Sequence, residues 1–319
     1  SLHYNRIANY IDMKILLTGS SGMVGRNIIE HLYASKHEIL SPNSKELNLL
    51  KYKSVRDYIT TNKPDIVVHA AGIVGGIQAN IAEPVRFLVD NMQIGINILL
   101  ASKECRVKKF MNLSSSCMYP RDAKNPLSEE LILKGELEPT NEGYAIAKVA
   151  STRLCEYINR EDRYYQYKTV IPCNLYGKYD KFDPNNSHMI PAVIRKIYES
   201  KSQNKKLINI WGDGLARREF MYVADFADFV YYAIDHFDKM PQNINVGLGH
   251  DYTINEYYKK ISETVGYKGD FIHDLSQPTG MQQKLIDNTK LKEFGWQYQT
   301  TLKQGIKKTY DYFLNTVCK

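Results

Sequence analysis

The sequence predicts an α/β fold: a Rossmann-type doubly wound parallel sheet followed by a smaller C-terminal α/β lobe. Three observations carry this. Apolar runs alternate with helical patterns from Lys14 to Ile171, the signature of βαβ units. The first run ends in a glycine-spaced turn, Gly19-Ser-Ser-Gly22-Met-Val-Gly25, that opens the first helical pattern. Past Tyr176 the alternation loosens, broken by Pro184, Pro191, Gly212 and Gly214.

Lys14–Thr18 reads as a buried parallel strand. Met23–Ala34 follows as a helix, with Val24, Ile28, Ile29 and Leu32 on one side. His37–Leu40 is the second strand, Val55–Ile59 lies in a short helix closed by Pro64, and Asp65–Gly72 is the third strand. Pro84–Cys105 is a long helix with proline at its start, where a missing N–H does no harm. Lys109–Ser114, Asn141–Asn159 and Lys168–Ile171 continue as strand, helix and strand. The expected organisation is an N-terminal extension over 1–12, a dinucleotide-binding domain over 13–176 and a lobe over 177–319, with 218–234 returning to the first domain.

Hydrophobic residues make up 43% and charged residues 24% of the 319, which suits a globular chain with a sizeable core. The net charge of +7 suits an anionic substrate and a phosphate-bearing cofactor. The basic pairs Lys108-Lys109, Lys205-Lys206 and Lys307-Lys308 are short and scattered, against a nucleic-acid surface. Cys105, Cys117, Cys155, Cys173 and Cys318 are odd in number and form no CxxC, which predicts a reducing compartment and neither a disulfide framework nor a metal site. No apolar run reaches membrane-spanning length and Ser1–Asp12 lacks a signal peptide's apolar stretch, so the expected location is the cytoplasm. Of the 24 tyrosines, only Tyr144 and Tyr119 stand where a hydroxyl has an evident task.

In the glycine turn, Gly19 lets the chain bend, Gly22 lets backbone approach a pyrophosphate, and Gly25 lets the helix pack on the sheet. The helix start then offers bare N–H groups and a partial positive charge to phosphates. After the second strand the chain reads Leu40-Ser-Pro-Asn43-Ser44-Lys45, with no acid to grip a ribose 2′-hydroxyl and no Arg to grip a 2′-phosphate. The reading leans to NADP(H), with NAD(H) open.

Tyr144-Ala-Ile-Ala-Lys148 places a phenol and an ammonium on one helix face. An adjacent ammonium is expected to lower the phenol's pKa and make Tyr144 a proton donor to a carbonyl oxygen as hydride arrives at carbon. Ser115, at the end of the fourth strand, stands where it can polarise the same carbonyl.

With these residues in place, the chain resembles the extended short-chain dehydrogenase/reductase family, and within it the GDP-L-fucose synthase branch, from Met13 to about residue 310. The most specific strings are Gly75-Gly-Ile-Gln-Ala-Asn80, Ser115-Ser-Cys-Met-Tyr-Pro120, Glu138-Pro-Thr-Asn-Glu-Gly-Tyr-Ala-Ile-Ala-Lys148, Asn174-Leu-Tyr-Gly177, Pro184-Asn-Asn-Ser-His-Met-Ile-Pro191, and Trp211-Gly212 with Arg218-Glu-Phe220. The resemblance implies a reductase triad of Ser115, Tyr144 and Lys148, and an acid/base pair, Cys117 and His188, for epimerisation beside a ketone. Both of the latter side chains titrate within reach of neutral pH. It also implies cofactor contacts at Gly19, Ser21, Gly22, Met23, Val24, Gly25, Asn43, Ser44, Ala70, Ala71 and Gly72, and contacts to a GDP-linked 4-keto-6-deoxy sugar at Ser116, Asn174, His188, Trp211, Arg218 and Lys284. A homodimer through the helices Pro84–Cys105 and Asn141–Asn159 is implied as well.

The chain departs from the family's pattern in two places. Ser21 and Ser44 stand where the family usually carries Arg for the 2′-phosphate. Thr279 and Gln283 replace an acid and an Arg near the sugar and diphosphate. Two other readings accommodate the same residues: a GDP-4-keto-6-deoxy-heptose 4-reductase without epimerase activity, and a non-catalytic NADP(H)-sensing protein of the same fold.

Overall fold

The computed structural model describes residues 12–277 and 280–319. The expected extension over 1–12 therefore lies outside the described residues, apart from Asp12, and so does Thr279. In chain order, β1 (Lys14–Thr18), α1 (Met23–Glu30), β2 (Glu38–Leu40), α2 (Tyr52–Asn62), β3 (Ile66–His69), α3 (Ile77–Ala82), α4 (Pro84–Glu104), β4 (Lys109–Leu113), α5 (Glu142–Glu161) and β5 (Gln166–Pro172) form the first half. β6 (Asn174–Tyr176), α6 (Met189–Ser202), β7 (Leu207–Trp211), β8 (Arg217–Arg218), β9 (Phe220–Tyr222), α7 (Val223–Asp235), β10 (Asn243–Val246), β11 (Tyr252–Thr253), α8 (Ile254–Val265), β12 (Asp270–Asp274), β13 (Gln283–Lys284), α9 (Thr289–Phe294) and α10 (Leu302–Thr316) follow.

Six parallel strands make the main sheet in the order β10-β5-β4-β3-β1-β2. Its strands are apolar on both faces because both faces are covered. Ile15 and Leu17 join one cluster with Val68, Met111 and Phe226, while Leu16 joins another with Val67, Ile98 and Phe110. Of the later segments only β10, past the expected return over 218–234, joins this sheet, pairing with β5 at its edge, while β8 and β9 pair elsewhere. A third cluster, around Ile194, Tyr257, Ile261 and Phe313, is the core of the lobe. Capping boxes Thr253/Glu256 and Thr301/Gln304 start α8 and α10, and Gly266 in the left-handed region ends α8. Among the described residues no helix is long and apolar enough to cross a membrane.

α1 stops four residues earlier than its pattern predicts. His31 turns extended, its Nδ1 accepts the Tyr33 N–H, its Nε2 lies 2.9 Å from Asp228 Oδ1, and its ring stacks on Tyr231 at 4.9 Å. Tertiary contacts thus outweigh the helical pattern, and Leu32 is left 73% exposed. Tyr119 also takes a structural part: its buried hydroxyl bonds Asn245 on β10.

Candidate active site

The site begins where β1 and β3 end. Thr18 Oγ1 pairs with His69 Nδ1 at 2.7 Å and accepts the N–H groups of Ala70 and Ala71 at 3.2 Å each. His69 is buried, and burial followed by the nearby Lys148 charge holds its pKa down to about 3, so the ring is neutral. Gly19 has φ +71°, and a methyl group there would lie 2.7 Å from the backbone of Ala70 and Ala71. A methyl at Gly25 would lie 2.2 Å from the Gly19 carbonyl oxygen and 2.6 Å from Ser20 Cα. Gly25 therefore lets α1 close on its own loop, where close packing on the sheet was expected. Gly22 differs: a methyl there meets only the Gly19 carbonyl, at 3.5 Å.

No side chain caps α1 and no acid sits in its first turn. Gly22, Met23, Val24 and Gly25 thus form a helix start that a pyrophosphate fits. Next to it, Ser20 Oγ reaches the Ser41 carbonyl at 3.3 Å, joining the glycine loop to the end of β2. Asn43 Oδ1 is engaged by the N–H groups of Lys45 and Glu46, and the Glu46 carboxylate accepts the Asn43 N–H at 2.8 Å. Ser44 follows in that turn. Arg26, which sequence reasoning passed over, shares a surface recess of about 290 Å³ with Ser20 and Ser21 and stacks on Tyr179 at 3.7 Å. Its place one helical turn after Gly22 was the available signal.

The loop after β3 leads to the reactive groups. Asn91 on α4, also missed, clamps it: its amide accepts the Ile73 N–H at 2.8 Å and donates to the Ile73 carbonyl at 3.0 Å. Lys148 Nζ would lie 3.6 Å from a methyl at Gly72, and it sits 5.4 Å from the Tyr144 ring centroid. Ser115 ends the segment after β4 and accepts the Cys117 N–H at 3.3 Å, which starts a short 3-10 turn over Ser116–Met118. Ser116 and Cys117 are buried in that turn. Cys117 is close enough for its charge state to act on Tyr144, Lys148 and Lys284.

The electrostatics depart from the expectation for Tyr144. Burial, then Cys117, pushes its phenol upward, and burial lowers the Lys148 ammonium. Burial and Cys117 act in the same direction, so Tyr144 rests as the phenol, the form a proton donor needs. Burial likewise raises the Cys117 thiol, against the pull of Lys284 and Lys148. His188, the residue before α6, has its pKa lowered by burial of its ring, by Lys181 and by Lys284, although the residue as a whole keeps an exposed edge. The pair at rest is a thiol and a neutral imidazole, one able to give a proton and one able to take it.

Strand pairing assembles the other side of the site. Lys284 on β13 is the register partner of Arg218 on β8, so two half-buried cations stand side by side, and Lys284 bears on Cys117 and His188 together. Gln283 and Arg217 are partners on the opposite face, and both bind Asp251, at 2.6 and 2.7 Å. The departure at Gln283 therefore faces away from the two cations. Glu219, missed in the sequence, is buried beside them. It accepts the N–H groups of Leu248 (2.7 Å), Gly249 (2.9 Å) and Ile286 (3.3 Å), and its burial pushes it up to about 7. Asn174 starts β6 opposite Phe220. Trp211 ends β7 with 65% of its surface exposed, the open face a stacking partner would use.

A family model described as the NAD dependent epimerase/dehydratase family matches residues 15–247. The chain belongs to that family. Within the family, the chain is 62% identical over 303 residues to a GDP-L-colitose synthase of Yersinia pseudotuberculosis, covering 95% of this chain and 98% of that protein. It is 46% identical to a GDP-L-fucose synthase of Azorhizobium caulinodans, covering 94% and 96%. Among solved structures, a GDP-D-glycero-L-gluco-heptose synthase from Campylobacter jejuni, determined in the presence of NADPH, superposes with a TM-score of 0.88 at 28% identity over 98% of this chain and 100% of that one.

Proposed function

We propose that this family member is an NADPH-dependent reductase of a GDP-linked 4-keto-6-deoxy sugar, and that it also moves protons at the carbons beside the ketone. The observation that carries this is one neighbourhood holding Ser115, Cys117, Tyr144 and Lys148 with the paired cations Lys284 and Arg218. A bound NADPH would be held by the bare start of α1 and supplies a hydride to C4. Arg26 lines one recess with Ser20 and Ser21, the latter standing where the family usually carries Arg. Tyr144 gives its proton to the C4 oxygen, Lys148 holds the resulting phenolate, and Ser115 steadies the oxygen. Lys284 and Arg218 meet the diphosphate, and Trp211 and Asn174 the guanosine end.

Cys117 and His188 act on the same ketone before reduction. One takes a proton from the adjacent carbon, negative charge gathers on the C4 oxygen, and the other returns a proton to the opposite face. One polarised oxygen thereby serves both steps. The finer reading is a colitose-type sugar, L-fucose lacking the 3-hydroxyl, favoured by 62% identity to the colitose synthase against 46% to the fucose synthase. With that sugar only C5 is a stereocentre to invert. The test is oxidation of NADPH by the purified chain with GDP-4-keto-6-deoxy-D-mannose and with its 3-deoxy counterpart. Faster turnover of the 3-deoxy sugar supports the colitose reading, and turnover of neither removes the whole proposal.

A homodimer through α4 and α5 belongs to the same proposal. The two helices pack on each other, yet Val85, Val89, Ile96 and Leu100 on one face of α4 and Ile146 and Tyr157 on α5 remain exposed. Sedimentation of the purified chain at the monomer mass would remove this part.

A further inference from the structure

Arg218 and Lys284 stand next to each other on a strand pairing two residues long, Arg217 with Gln283 and Arg218 with Lys284. Like charges at that distance push apart: burial lowers the Lys284 ammonium, and the Arg218 charge adds to that. So short a ladder needs a brace, and Glu219, the residue after β8, is placed to be one. Its Oε1 accepts the Ile286 N–H at 3.3 Å, two residues past Lys284, which carries the contact between the segments beyond their backbone pairs. Its Oε2 accepts the N–H groups of Leu248 and Gly249, which follow β10, the edge strand of the main sheet. Gly247 leaves room for the carboxylate, since a methyl there would lie 2.8 Å from Oε2 and 3.0 Å from Oε1. One buried carboxylate thus ties the cation pair to the parallel sheet, and each of these bonds goes to backbone.

An ionised carboxylate only accepts hydrogen bonds and suits three N–H donors, whereas a neutral acid brings an O–H donor of its own among them. Resting on the function proposed above, we propose that Glu219 is a positioning residue for the substrate's diphosphate: its carboxylate holds Arg218 and Lys284 at the spacing the two phosphates require, and its neutral acid lets them separate. The change falls near neutral pH. Burial pushes Glu219 up to about 7, the backbone bonds oppose that, and the charge of Asp251 adds to it. Cys173 between β5 and β6, Tyr257 on α8 and Tyr298 also face Glu219, and burial raises all three, so they stay neutral in this range. The charged groups around it are Asp251 and, on the paired strands, Arg217, Arg218 and Lys284. Affinity for the nucleotide sugar should therefore weaken as pH falls and Glu219 takes up its proton.

The test titrates GDP-mannose into the purified chain by calorimetry from about pH 6 to about pH 8, a range in which its diphosphate diester keeps its charge. The unaltered protein should bind about three- to tenfold more tightly at the upper end than at the lower. Glu219→Gln keeps the shape but puts a donor in place of one acceptor, so it should bind at the low-pH level throughout, with NADPH affinity unchanged. A residue that merely holds the fold together would lower affinity without flattening the profile. An equal slope in Glu219→Gln, or a flat profile in the unaltered protein, overturns the inference and leaves the function intact. If Glu219→Gln fails to fold, Asp251→Asn takes its place: removal of that neighbouring charge should move the midpoint to lower pH, and an unmoved midpoint overturns the inference. An unaltered protein that binds NADPH but no GDP-mannose at any pH overturns the diphosphate site and the inference together.

Discussion

On the proposed cofactor side of the site the chain offers backbone, and on the proposed sugar side it offers side chains. Gly19 and Gly25 let loop, helix and strand end touch, and the start of α1 is left without a side-chain cap. Opposite them, Cys117, His188, Arg218 and Lys284 arrive from four distant segments, joined by a two-residue strand pairing and by the Glu219 carboxylate. A backbone cradle tolerates change where side chains point outward and fails when a single Cβ intrudes. A side-chain wall can be altered one contact at a time. The two halves should therefore break differently.

The largest effect belongs to the group between the halves. Tyr144→Phe should lower kcat by about 10²–10⁴-fold with NADPH affinity unchanged, since only the transferable proton is lost. Stopped-flow oxidation of NADPH beside a binding titration would show the split. On the cofactor side, Gly25→Ala pushes a methyl into the Gly19 carbonyl at 2.2 Å. The expected result is about 1–3 kcal/mol lost in urea unfolding, with weakened NADPH binding, whatever sugar is used.

His69 supplies a pH test of the same side. Its folded-state pKa is depressed to about 3, whereas an unfolded chain protonates it near 6.5. Between these values the unfolded state binds more protons, so its contribution to stability falls as pH drops, by up to about 1.4 kcal/mol per pH unit. Urea midpoints for His69→Asn should be flatter than the parent's over that window. An unchanged slope would mean that the ring is protonated in the fold. The smallest effect lies on the Asp251 side of the β8–β13 pairing. Gln283→Arg faces Asp251 beside Arg217, so it should shift stability by no more than about 0.5 kcal/mol and leave the KM for the nucleotide sugar alone. A fall in that KM would place residue 283 on the ligand face.

The same contrast explains what the sequence reveals. The glycine turn, the strand order up to β5 and the Tyr144/Lys148 helix are local, so spacing alone exposes them. The end of α1 was misjudged because His31 is turned by partners near residue 230. Gln283 was assigned to the sugar side because no local pattern shows which face of a two-residue strand points inward. Register with Arg217 decides that, from 66 positions away in the chain. Glu219 and the Asn91 clamp on Ile73 act through backbone groups distant in sequence, and such contacts leave no periodic trace. The direction of the Tyr144 shift was missed for a similar reason: burial is a property of the folded site, not of the Tyr-x-x-x-Lys spacing.

The central claim is that one polarised ketone serves both proton movement and reduction. It is tested most directly by running the reaction in heavy water with NADPH and the better of the two 4-keto sugars, then mapping deuterium in the product by NMR. The account predicts NADPH oxidation with deuterium at C5, and loss of that label with reduction retained in Cys117→Ala or His188→Ala. Reduction without deuterium at C5 in the unaltered enzyme would contradict it and leave a simple 4-reductase.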